Sequence, residues 1–207
     1  KSLINLFLKN SDNIIVQTNS MYKLIESVKP NNKIYIQDRF WKKYTLSSYL
    51  KFFKEVNLNH ERSLFSKIEK ITKKNKLFFY PASFDPHKNH KLLLNCFLNI
   101  SKKLNQNVKL LVTIESSQVP NKDRYEKDII FLGNQSIQNI FALYDLVDYL
   151  IYPSINESLG LPLLEAKLKK LPIIASDMDF VYDVCSPIST FNPYSPKDIY
   201  EKISELI

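Results

Sequence analysis

Glycine is close to missing from this chain: its 207 residues contain Gly133 and Gly160 and no third. Wherever those two stand, the backbone has a reason for them, because glycine reaches left-handed conformations and lets a backbone come near a ligand. Cysteine is as scarce. Cys96 and Cys185 lie far apart in apolar surroundings, and they read as two buried thiols in a reducing compartment rather than a disulfide framework. No apolar stretch reaches the length of a membrane-spanning helix, and no leader pattern opens the sequence. Histidine occurs three times. His87 and His90 stand near Asp85, yet no third and fourth ligand completes a metal site around them.

What is present is ordinary for a globular protein, with 44% apolar and 24% charged residues. The length suits one full domain and part of a second. The chain opens at Lys1 in mid-pattern and reads as a fragment or a processed chain. Its net charge of +8 calls for an acidic partner: nucleic acid, anionic lipid or a phosphorylated substrate. Much of the excess falls between Lys42 and Lys76, where most lysines read as solvated helix faces. Asn-X-Ser tripeptides begin at Asn99, Asn134 and Asn156. The last two fall in loops that carry function in the reading below, where a glycan would be harmful, which also favours the cytoplasm.

From Lys76 onward, strand-like and helix-like segments alternate. LFFYP (77–81), VKLLVTI (108–114), DIIFLG (128–133), VDYLIYP (147–153), LPIIAS (171–176) and the weaker ISTF (188–191) predict strands. Apolar spacing predicts one helix over 88–104 and another over 137–146. A third contains Glu165, and a fourth, over 195–207, has Ser195 as N-cap and Pro196 at its first position. Continuous apolar strands between helices mean a parallel sheet covered on both faces, so residues 76–207 predict a doubly wound α/β domain. Such sheets bind ligands beyond the carboxyl ends of their strands. Residues 1–40 read as the remnant of another α/β domain, with NIIVQT and KIYIQ as strands. Residues 41–75 read as a basic connector, with Leu46, Tyr49, Leu50, Phe53 and Val56 on one helical face. That stripe is packed core on the plain reading and an interfacial helix on the sharper one.

Two loops at the predicted ligand edge carry chemistry. NESLGLPLLEA places Glu157 in a loop after a strand, then Gly160, then Pro162 at a helix start, then Glu165 one turn in. The N–H groups of Ser158, Leu159, Gly160 and Leu161 would face a ligand above the sheet, and a helix N-terminus favours an anion such as phosphate. Glu157 and Glu165 would take hydroxyls on either side of it. Lys88, in SFDPHKN, opposes the dipole of the helix it starts, which favours a ligand for its charge. Taken alone, the same glutamates are a loop carboxylate and an exposed helix residue.

PSINESLGLPLLEAKLKKLPIIAS (153–176) resembles the signature of the retaining glycosyltransferases of family four, which have the GT-B architecture. YPASFDPHKNH (80–90) is similar to that family's phosphate loop, especially in bacterial surface-polysaccharide members. FLGNQSIQNIFALYDLVDYLIYPS and FNPYSPKDIYEKISELI resemble the segments that complete it. The resemblance covers 76–207 and extends faintly to 13–37. It implies that Lys88 pairs with the donor diphosphate, Glu157 binds hydroxyls of the transferred sugar, and Ser158, Leu159, Gly160 and Leu161 hold phosphate and sugar. Glu165 would bind the ribose, and Ser83 and Gly133 would stand at donor-binding positions. It also implies a UDP-sugar ahead of a GDP-sugar, no metal or cofactor, a lipid-linked glycan acceptor, and work at the cytoplasmic face of an anionic membrane.

The sequence departs from the pattern at three points. Ser83 stands where an arginine usually precedes the loop lysine, leaving Arg39, Lys91 or another base to replace it. Lys170 stands where glycine usually follows the helix, which would make it left-handed. The acceptor domain is nearly all absent, so this stretch by itself would bind donor and transfer nothing. Two other readings stay open: a non-catalytic nucleotide-binding module, made plausible by Ser83, and a basic nucleic-acid-binding protein, for which no recognition motif speaks.

Overall fold

A computed structural model describes residues 11–28, 33–36, 62–98 and 100–207. Arg39 and the apolar stripe of Leu46 to Val56 lie outside the described residues. Elements are numbered in chain order within them.

The main body is a six-stranded sheet of β3 (Lys76–Tyr80), β4 (Val108–Val112), β5 (Ile129–Phe131), β6 (Tyr149–Tyr152), β7 (Ile173–Ser176) and β8 (Ser189–Phe191). Its order is β5-β4-β3-β6-β7-β8, and every pairing is parallel. These are the apolar runs of the sequence. In β3 every residue after Lys76 is buried, and β7 is buried throughout, as a sheet covered on both faces requires. Phe78 packs at the centre, stacked on Tyr149 at 5.0 Å and edge-on to Phe97 at 5.5 Å. The chain runs outward from β3 through β4 to β5, then returns to lay β6 on the other side of β3. The crevice between the ends of β3 and β6 is therefore the point where strand order reverses, the preferred ligand position in such sheets.

The helices are α2 (Arg62–Thr72), α3 (His90–Phe97), α4 (Ile100–Leu104), α5 (Ile137–Tyr144), α6 (Leu161–Leu168), α7 (Asp179–Val184) and α8 (Pro196–Ser204). Ser195 caps α8 as its sequence predicts, accepting from Asp198 N at 3.2 Å. Phe65 and Ile68 of α2, within the stretch read as a connector, are buried in the same core as the sheet.

The single helix expected over 88–104 is three pieces. Pro86–Lys88 forms a short 3₁₀ turn, Asn89 turns left-handed at φ 59°, and Leu98 takes an extended conformation that ends α3. The restart in α4 is anchored by Ser101, whose Oγ meets Val108 O at 2.9 Å and Asp128 Oδ1 at 2.7 Å. Those bonds tie α4 to the start of β4 and override the periodicity that suggested one helix. Helix α7 was not read from sequence at all, because six residues are too few to show a helical period.

Lys170 adopts φ 56°, the left-handed conformation that the missing glycine implied. The Lys170→Gly substitution is expected to stabilise the fold by about 1 kcal/mol by removing the Cβ clash. Urea unfolding would register this as a higher midpoint at unchanged slope.

A smaller unit precedes the main body: β1 (Asn13–Val16), α1 (Asn19–Val28) and β2 (Lys33–Ile36), with β1 and β2 parallel. Val16 and Ile25 form its small core. Ile15 remains 64% exposed and Tyr35 52%, so two strands and one helix cover only part of their own apolar surface. Among the described residues, hydrogen bonds tie the unit to the main body at two points. Asp183 Oδ2 of α7 accepts from Ser20 N at 2.9 Å and Ser20 Oγ at 2.6 Å, and Thr18 Oγ1 donates to Ser158 O at 3.2 Å.

Candidate donor site

Strands β3 and β6 each end in a tyrosine, and those tyrosines build the site. Tyr80 Oη donates to Lys88 O at 2.9 Å and meets Ser154 Oγ at 2.9 Å. One hydroxyl thus ties the loop after β3 to the loop after β6. Ser154 O in turn accepts from Ser176 Oγ at 2.6 Å, and Ile155 N donates to His87 O at 2.9 Å. Asn89 closes the frame from its left-handed position, its Nδ2 reaching Pro193 O at 2.7 Å and Pro153 O at 3.3 Å. Four loops at the carboxyl edge are thereby cross-braced by polar groups that satisfy one another.

His90 holds the first of these loops shut. It is 2% exposed, its Nε2 lies 2.9 Å from Ser83 O, and its ring packs against Tyr80 at 4.8 Å and Phe84 at 5.6 Å. Burial pushes the imidazole down to about 4, so it is neutral in the fold. It acts as a loop clamp.

The braced loops enclose a cavity of about 300 Å³ lined by Gln17, Lys88, Tyr152, Glu157, Ser158, Leu159, Gly160, Leu161 and Pro162. At its rim Lys88 Nζ sits 2.5 Å from Glu157 Oε1, with side chains only 16% and 10% exposed. The two residues expected to face different parts of a ligand hold each other, leaving a locally neutral pair. Beneath them begins α6, with Gly160 as N-cap at φ 70° and Pro162 in its first turn. The positive φ favours glycine. A Cβ there would also meet the protein's own side chains, Leu163 Cδ1 at 3.0 Å and Tyr152 Oη at 3.4 Å.

Lys88, Glu157, Ser158, Leu159, Gly160 and Leu161 are thus brought to one cavity. Ser83, Gly133 and Glu165 do not line it. Ser83 is exposed and its Oγ donates to Asp85 Oδ2 at 2.5 Å. Gly133 adopts φ 67° over Glu115, whose Oε1 would lie 2.6 Å from a Cβ and accepts from Asn134 N at 3.0 Å. Glu165 is 6% exposed, with Oε2 accepting from Tyr144 Oη at 2.8 Å. Gln17, Tyr80, Tyr152 and Ser154 were not read as site residues. The available signal was a tyrosine closing each of two buried strands, a polar atom delivered to the ligand edge.

The parallel six-stranded sheet with its flanking helices matches the Rossmann-like fold of GT-B glycosyltransferases in solved structures. The chain superposes on a TarM mutant of S. aureus in complex with fondaparinux, alpha-GlcNAc-glycerol and UDP with a TM-score of 0.71. Identity is 17% over 100% of this chain and 39% of that one. The C-terminal domain of LpcC, a glycosyl transferase group 1 family protein of Francisella tularensis, gives a TM-score of 0.53 and 21% identity, over 68% of this chain and 80% of that one. The Glycosyl transferases group 1 family matches residues 61–207, and the chain belongs to it. It is also 31% identical over 124 residues to the O-antigen chain mannosyltransferase RfbU of Salmonella typhimurium, covering 56% of this chain. That match spans only 34% of RfbU.

Proposed function

We propose that the chain is the donor-binding part of a retaining, metal-independent glycosyltransferase. Its substrate is a nucleotide sugar, a UDP-sugar ahead of a GDP-sugar, and it transfers a hexose or N-acetylhexosamine. The acceptor is a lipid-linked glycan of O-antigen or capsule synthesis, met at the cytoplasmic membrane face. The likeness to a mannosyltransferase supports a hexose as the transferred sugar. Among the described residues no helix is long and apolar enough to cross a membrane, and basic residues between Lys42 and Lys76 supply attraction to an anionic surface.

The observation that carries this reading is the Lys88–Glu157 pair set over the start of α6 at the strand-order reversal. A diphosphate entering there meets the positive end of a helix and a lysine able to exchange its carboxylate for phosphate. In the reaction, the bond from the anomeric carbon to the phosphate oxygen breaks. The acceptor oxygen bonds to that carbon on the same face, and its proton passes to the departing phosphate. Lys88 and the helix end stabilise the charge that develops on the diphosphate. Glu157 holds sugar hydroxyls, while Glu165 meets the ribose once the ligand reorders its bond to Tyr144.

The test is calorimetric or thermal-shift titration of the full-length protein with UDP, GDP and ADP in EDTA. One nucleotide is expected to stabilise the protein by about 2.7 kcal/mol at a hundred times its Kd. Lys88→Ala and Glu165→Ala should both weaken it. Binding that vanishes in EDTA would refute metal independence, and saturable binding with no sugar transfer would leave a nucleotide-binding module.

A further inference from the structure

The Tyr152 hydroxyl is buried and, among the described residues, makes no hydrogen bond of good geometry, although the Glu157 carboxylate and the Ser154 hydroxyl lie close enough to act on it. A buried phenol without a well-formed bond is disfavoured unless some state of the protein uses it. Tyr152 is fully buried at the end of β6, yet it lines the cavity and stands under the N-cap of α6, 3.4 Å from the place a Gly160 Cβ would occupy. Glu157 borders the same cavity. Burial first, and then the negative charge of Glu157, push the phenol's pKa upward, so it stays protonated and remains a donor. The Glu157 carboxylate is held at 2.5 Å by Lys88, and the Tyr152 phenol faces the same carboxylate without a well-formed bond to it.

That arrangement poses a problem for the proposed function, on which this inference rests. If Lys88 turns to a diphosphate, Glu157 loses its cation while only 10% exposed. A carboxylate left uncompensated there would oppose binding. We infer that Tyr152 is a positioning residue that takes over Glu157 when Lys88 moves to the donor, so that the pair Lys88–Glu157 exchanges for Tyr152–Glu157 with Lys88 on phosphate. Glu157 then keeps a fixed direction towards the sugar hydroxyls throughout the exchange. Because the tyrosine acts on Glu157 and not on the ligand, its hydroxyl can stay out of contact with solvent, as observed.

The test is a double-variant cycle in the full-length protein, reading UDP and GDP affinity by calorimetry. Tyr152→Phe is expected to weaken binding of the preferred diphosphate by about tenfold, the effect of one hydrogen bond to a charged group. In a Glu157→Gln background, where no charge needs a new partner, Tyr152→Phe should have no effect. The ligand-free thermal midpoint of Tyr152→Phe should change little, since no bond of good geometry is removed. An equal loss in both backgrounds would mean the hydroxyl contacts the ligand itself and would overturn the exchange. No loss in either background would overturn it too. If the wild-type protein binds neither diphosphate, the donor-site reading fails and this inference falls with it, an outcome distinct from the other two.

Discussion

Replacing Lys88 by alanine in the full-length protein is expected to lower sugar transfer by on the order of a hundredfold to a thousandfold, the effect of removing one group that stabilises developing charge. The same change should destabilise the fold by about 3 kcal/mol, because the nearly buried Glu157 carboxylate loses its cation and is left facing only the neutral Tyr152 phenol. The two effects have different causes and can be separated. In Lys88→Ala/Glu157→Ala no charge is stranded, so most of the stability should return while nucleotide binding and transfer stay lost. Denaturant unfolding and a transfer assay on the three proteins decide the matter. A double variant that regained transfer would show that the pair is structural only.

Acidification should destabilise the protein through His90. Its folded pKa of about 4 lies below the unfolded value of 6.5, so the unfolded chain binds the proton more readily between those limits. Stability from this group is complete above pH 6.5 and declines as the pH falls towards 4, by on the order of 3 kcal/mol in all. Burial is the main cause; the nearby charge of Lys88 adds to it, while the Ser83 carbonyl and Asp85 oppose it. His90→Phe would keep an aromatic ring between Tyr80 and Phe84 and remove the titration. It should give a flatter stability profile over this range, despite losing the bond to Ser83. Urea unfolding at several pH values would show it, and parallel profiles for the two proteins would contradict the assignment.

The central sheet was legible because strand burial writes itself directly into composition: LFFY, YLIY and IIAS carry their own signal in a few residues. The parallel order followed from the alternation of those runs with helices. Helix interruptions were less legible, since Leu98 breaks α3 from α4 through a conformation its side chain does not advertise. At the candidate site, the motif named Ser158, Leu159, Gly160 and Leu161 with Glu157 and Lys88, and these residues line one cavity. Two things escaped. Lys88 and Glu157 are paired with each other, a contact across 69 positions that no local pattern encodes. Tyr80 and Tyr152 looked like core aromatics, and they are; their hydroxyls become informative only once the strand ends are known to converge. The left-handed Lys170 was the reverse case, where one unusual residue in a familiar pattern located a backbone conformation.

Helix α1 has no acidic residue in its first turn. The carboxylate that receives its opening N–H belongs to Asp183, 163 positions later in the chain. A helix end favours negative charge wherever that charge comes from, so the opening of α1 depends on a side chain supplied by the other unit. A substitution at Ser20 changes what Asp183 is for, and a substitution at Asp183 exposes the start of a helix in the other unit. Inheritance of the two positions should therefore be correlated, with exchanges such as serine for threonine at one end tolerated only while an acceptor persists at the other.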